Sequence, residues 1–145
     1  MPVGFFFVFR FGFFVFRFGQ KEDMAEVRKS RSYKDLEVWQ VSLELVKAIY
    51  QVTGKFPSSE RFGLTSQIRR AAISIPSNVA KGQFGNSPKE FKQFLSIALG
   101  SSAELETQLI LAREIDYLSV EESTFLLNIL ERIMKMLKKL SLSIG

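Results

Sequence analysis

From Tyr33 onward the apolar residues recur at intervals of three and four, the spacing of one face of an α-helix. A first helix is predicted over about Asp35–Thr53. Leu36, Trp39, Leu43, Val46 and Tyr50 form one seam, and Val38, Val41, Leu45, Ala48 and Val52 form a second. Offset by two residues, the seams lie on nearly opposite sides. One can face a bundle core. The other needs either cover from its own chain or a second subunit, so Val38, Val41, Leu45, Ala48 and Val52 are the candidate subunit interface. A second helix is predicted over about Leu64–Gly82, with a stripe of Leu64, Ile68, Ala71, Ile75 and Val79. Pro76 should kink it, and Gly82 and Gly85 are its stop signals. A third opens at Ser87-Pro88, with Glu90 completing a capping box. Its middle, ALGSSA, is made of small residues, and a mid-helix glycine costs about 1 kcal/mol relative to alanine, so Gly100 is expected to serve close packing. A fourth begins at Ser119, capped with Glu122, and carries Leu126, Leu130, Ile133, Leu137, Leu140 and Ile144. Short connections favour antiparallel neighbours. The expected fold class is all-α, an up-down-up-down four-helix bundle with no strand after Met24.

The start of the chain breaks this pattern. Phe6–Gly12, FFVFRFG, recurs unchanged as Phe13–Gly19. As a strand, an odd repeat turns the second copy's faces over, so that Arg10 and Arg17 fall on opposite sides. As a helix, Phe, Val and Gly are weak formers. Arg10 ends the longest apolar run and no Ala-x-Ala-like site follows, which argues against a signal peptide. A membrane span needs roughly 20 apolar residues, and two arginines interrupt this stretch. No folding element accounts for it, whereas an in-frame duplication does. The expected organisation is a Phe-rich extension outside the fold at 1–23, upstream of a natural start near Met24, then a basic lead-in at 24–34 and the bundle at 35–145. The rival is a membrane-touching aromatic tail. Once translated, such a segment is aggregation-prone.

Nine of the chain's 15 phenylalanines lie in that extension, and without it Lys and Arg number 17 against 13 Asp and Glu. The remainder suits one domain. There is no cysteine and no histidine. Disulfides, thiol chemistry, zinc sites of the usual kind and the Glu-x-x-His ligands of di-iron bundles are excluded, as is the commonest general base near neutral pH. No metal and no cofactor are expected. The absence of an export signal after Met24 suggests a cytoplasmic protein with no membrane contact, and the mild positive charge permits nucleic acid as a partner.

Arg69 and Arg70 fall mid-helix beside apolar residues. Counting outward from a turn centred near Asn86 brings Glu104 opposite them, a structural ion pair; the alternative is contact with phosphate. Arg132, Lys135 and Lys139 line one side of the fourth helix, with Lys138 beside them. They are either a solvated face or a surface for nucleic acid. There is no glycine-rich phosphate loop, base-stacking aromatic motif or helix-turn-helix signature. Carboxylates two positions apart, such as Asp35/Glu37 and Glu104/Glu106, diverge on a helix, and no base serves the serines. The residues argue against an enzyme.

The blocks YKDLEVWQ at 33–40, GLTSQIRRAAISIPSNVAKG at 63–82 and SPKEFKQFLSIALGSSAELETQL at 87–109 resemble the four-helix bundle proteins encoded in intervening sequences of bacterial 23S ribosomal RNA genes. The likeness spans 33–145 and none of 1–23. It implies a small cytoplasmic bundle that assembles into a ring, a homopentamer. It also implies kinship with the accessory proteins of diversity-generating retroelements, basic pentamers that bind reverse transcriptase and nucleic acid. Where relatives commonly read Ala-Glu-Gly, this chain has Ala80-Lys81-Gly82, and where many carry arginine after the glycine turn it has Gly85. The first change adds positive charge and the second removes it. The expectation is a non-enzymatic oligomeric adaptor that binds structured RNA or a nucleic-acid-processing protein through Arg69, Arg70, Lys81, Arg132, Lys135, Lys138 and Lys139. The alternative is a protein-only scaffold.

Overall fold

The computed structural model describes residues 3–9, 12–18 and 32–145 of the chain. Residues 32–145 are built from helices. The Ser32 hydroxyl accepts the Lys34 N–H and starts a 3-10 turn at Tyr33–Asp35, which leads into α1, Glu37–Thr53. There follow α2, Leu64–Phe84, α3, Pro88–Glu114, and α4, Val120–Ser143.

The caps explain two of the starts. At α3 the Ser87 hydroxyl accepts the Glu90 N–H, Pro88 takes the first helical position, and the Glu90 carboxylate accepts the Asn86 N–H. At α4 the capping box is complete: Ser119 Oγ accepts the Glu122 N–H at 3.0 Å and Glu122 Oε1 accepts the Ser119 N–H at 3.1 Å.

The glycines change roles. α2 does not stop at Gly82 but runs on to Phe84, with Gly85 as its C-cap. A Cβ on Gly82 would lie 2.6 Å from Phe91 Cδ2 and 3.0 Å from Phe94 Cβ, so this glycine lets α2 and α3 approach where the chain reverses. Gly100, expected to have a packing reason, is exposed, and a Cβ there would meet nothing within 4 Å. The helix also continues without a break through Pro76, which is buried.

Each helix packs on two others, α1 on α2 and α4, and α3 on α2 and α4. Gly82 against Phe91 and Ser74 Oγ against Ser101 Oγ at 2.7 Å set α2 and α3 antiparallel. Arg132 to Glu37 and Lys55 to Glu122 do the same for α1 and α4. The core between them holds Leu45, Ile49, Ile68, Ile75, Leu95, Leu105, Leu109, Leu126 and Leu130, all fully enclosed. Each such side chain contributes roughly 1.5–3 kcal/mol of transfer free energy.

One expectation is overturned here. Val38, Val41, Leu45, Ala48 and Val52, taken for a subunit interface, are buried in the core of their own chain. The seam left over is the other one: Trp39, Leu43 and Val46 are half-buried and Tyr50 is exposed, although Leu36 is enclosed. Two residues outside both seams decide the matter. Ile49 is wholly buried, and the Ser42 hydroxyl, buried too, satisfies itself on the Val38 carbonyl at 2.6 Å. Both widen the second stripe, whereas Trp39 and Tyr50 carry polar tips suited to a wet boundary.

The Phe-rich segment also departs from expectation, because it forms an element. Val3–Phe9 (β1) and Gly12–Phe18 (β2) pair antiparallel, from Val3 opposite Phe18 to Phe9 opposite Gly12. The odd repeat was judged as one continuous strand; as two strands folded back on each other, its period sets no conflict between faces.

Candidate nucleic-acid interface

The seven basic residues expected to form one surface separate into three groups. Arg69 is a structural clamp. Its guanidinium lies 4.4 Å from the Tyr50 ring centroid, its Nε donates to Thr53 Oγ1 at 2.9 Å, and its Nη2 donates to the Tyr50 carbonyl at 3.4 Å. It thus places positive charge on the last turn of α1, where the helix dipole favours it. The predicted pairing of Arg69 or Arg70 with Glu104 does not occur. Arg69 is on the side of α2 that faces α1, and the serine contact centres the reversal at Ser87–Pro88 instead of Asn86. Glu104 is exposed and accepts a hydrogen bond from Gln108 Nε2 at 3.2 Å. Arg70 is exposed and has no ion pair among the described residues.

Arg132 forms a second group. It reaches from α4 to Glu37 on α1 at 3.2 Å, with both side chains largely covered. It ties α4 to α1 while about a third of its side chain stays exposed, 32% against 14% for Glu37. At the opposite end Lys55 meets Glu122 at 2.6 Å. Burial pushes the Glu122 carboxyl up, but the Lys55 ammonium and the Ser119 N–H and hydroxyl outweigh it and hold the group below its ordinary value.

Lys81, Lys135, Lys138 and Lys139 form the third group. The start of α1, the end of α2, the start of α3 and the end of α4 meet at one end of the bundle. Lys81, Lys138 and Lys139 are exposed there, joined by Lys34, Lys89 and Lys92. None of these six has an ion pair among the described residues. Lys135 is exposed and pairs with Glu131 at 2.9 Å, which holds the Glu131 carboxyl below its usual range. The carboxylates at this end are engaged: Glu37 by Arg132, Glu131 by Lys135, and Glu90 by the Asn86 N–H. Among the described residues at this end, Asp35 and Glu90, whose charge a backbone N–H does not cancel, are left to offset the lysines. The other end carries Glu60, Glu114, Asp116, Glu121 and Glu122 against Lys55, Arg61 and Arg113, so it is mildly acidic where this end is basic.

Sequence reasoning missed Lys89 and Lys92. The signal was available: they fall in the first two turns of α3, where the helix dipole disfavours cations. Helix stability does not account for them, whereas a shared basic surface with Lys81 does. Among the described residues no group of three or more His, Cys, Asp or Glu could hold a metal ion, and no helix is long and apolar enough to cross a membrane.

The fold and its basic end define a class: a small helical bundle with a lysine-rich end. A sequence model of the 23S rRNA-intervening sequence protein matches residues 34–139, and the chain belongs to that family. Among solved structures, a protein of unknown function from the S23 ribosomal protein family of Bacteroides thetaiotaomicron is 27% identical, with a TM-score of 0.68 over 72% of this chain and 97% of that one. No curated protein matches.

Proposed function

We propose that this protein is a non-enzymatic adaptor whose lysine-rich end binds the phosphate backbone of a structured RNA. The observation that carries this reading is the convergence of Lys81, Lys89, Lys92, Lys138 and Lys139, from three helices, at an end where Glu37 and Glu131 are already paired with Arg132 and Lys135. Five exposed ammonium groups on a rigid frame suit phosphates, with little base discrimination. Self-association accompanies this role. Half-buried Trp39 and Leu43 and exposed Tyr50 on α1, with exposed Ile73 and Phe84 on α2, leave apolar surface on the bundle. A particle of several copies would multiply the basic ends that one RNA can meet. The same surface supports the second reading, a scaffold for protein partners alone.

Filter binding of a ribosomal RNA fragment at two salt concentrations tests the proposal. Binding should weaken steeply with salt, and Lys138→Ala/Lys139→Ala should reduce the slope of log K against log salt by about 1–2, since each lost phosphate contact removes roughly 0.7–0.9. Arg132→Ala should change stability without changing that slope. No binding at low salt, or binding indifferent to salt, would refute the RNA reading, and mass measurement of the particle gives the number of copies.

A further inference from the structure

The duplicated heptad has a geometric property that an ordinary hairpin lacks. β1 and β2 form a sheet of two strands only, so each strand has one outer edge with no ladder partner in that sheet. Edges of this kind are normally guarded by charge or proline. β1, VGFFFVF, has neither, and Arg17 in β2 is the one charged residue of the two strands. Both strands are rich in Phe and Val, which favour extended backbone.

The pairing register then interacts with the repeat. Within the hairpin, Phe7 is opposite Phe14, Phe6 opposite Val15 and Phe5 opposite Phe16. Each residue of 13–16 is identical to the one seven places earlier. Replacing every β2 partner by its equivalent in β1 gives Phe7 opposite Phe7, Phe6 opposite Val8 and Phe5 opposite Phe9. That is an antiparallel ladder of β1 with itself, using the residue pairs already found inside the hairpin. It is centred on a residue, so partners share parity and the same face of β1 meets the same face of its copy. A ladder that pairs a strand with itself is two-fold symmetric, the requirement of a closed dimer interface.

We propose that two copies of this chain join hairpin to hairpin, β1 against β1 in antiparallel register about a two-fold axis at Phe7. This contact uses the outer edge of β1, whereas β2 is the strand that lies against α1. It would bring two bundles together by their N-terminal extensions.

Because the chain has no cysteine, an introduced thiol is unique. In the full-length protein under mild oxidation, Phe7→Cys should yield a disulfide-linked dimer, since directly opposed residues meet the distance a disulfide needs. Phe6→Cys and Val8→Cys should each cross-link at least tenfold less alone, yet an equal mixture of the two should cross-link at about half the rate of Phe7→Cys, because about half of randomly formed dimers pair one with the other. Adding Phe5→Lys and Phe9→Lys to Phe7→Cys sets lysines opposite each other across the symmetric ladder and should abolish the cross-link, while helical circular dichroism stays unchanged. Equal cross-linking at all three positions, or a mixture no better than its components, would overturn the proposal.

Discussion

Arg69 shows how a single side chain can be read correctly as special and wrongly as to its partner. Its position mid-helix among apolar residues marked it, but counting along the chain cannot say which side of α2 faces which neighbour. Its contacts with Tyr50 and Thr53 place it on α1. Gly100 gives a simpler test of residue-level reasoning. With open space around its Cβ direction, Gly100→Ala should raise the unfolding free energy by about 0.5–1 kcal/mol in urea titration, through helix propensity alone. Glu122 supplies a pH dependence. Its carboxyl is held below the ordinary value in the folded protein. In acid the unfolded chain therefore takes up the proton first, so stability present above about pH 4.5 is lost as pH falls through the folded value. The urea midpoint should drop over that interval, and Glu122→Gln should flatten the drop.

At the scale of elements, what was legible and what was not have distinct physical origins. The starts of α3 and α4 were legible because Ser87-Pro88 and Ser119 with Glu122 act locally, through backbone groups a few residues away. The orientation of α1 was not, because its two seams are equally regular, and Ile49 and Ser42 choose between them only through contacts made after folding. The glycines failed for the same reason: Gly82 resembled a stop signal, yet its role lies in Phe91 and Phe94 across the turn. Gly82→Ala should accordingly destabilise the protein by about 1–3 kcal/mol, an overpacking cost, measured by the same titration. The hairpin was missed because the repeat was weighed as one strand and not as two that pair.

For the whole molecule, the lysine cluster was half legible. Lys81, Lys138 and Lys139 were marked from the sequence. Only the antiparallel packing shows that they share an end with Lys89 and Lys92, that Arg69 lies elsewhere, and that Arg132 is tied to Glu37. Lys89→Ala/Lys92→Ala should therefore weaken RNA binding in filter assays about as much as Lys138→Ala/Lys139→Ala. Thermal stability should stay the same or rise slightly, because cations are removed from the start of a helix.

The contact between Ser74 and Ser101 carries one more consequence. Asn78, itself buried, donates to Ser74 Oγ at 2.9 Å and to the Ser74 carbonyl at 2.7 Å, so three polar side chains form a knot between two mostly apolar helices. Sliding α3 by one turn would leave greasy contacts nearly as good but would break the Ser74–Ser101 hydrogen bond, the one contact of the three that crosses between the helices. The knot therefore acts as a tooth in a ratchet, admitting one alignment of the pair and penalising its neighbours. Positions 74 and 101 should be inherited together, as a single trait spread over two helices.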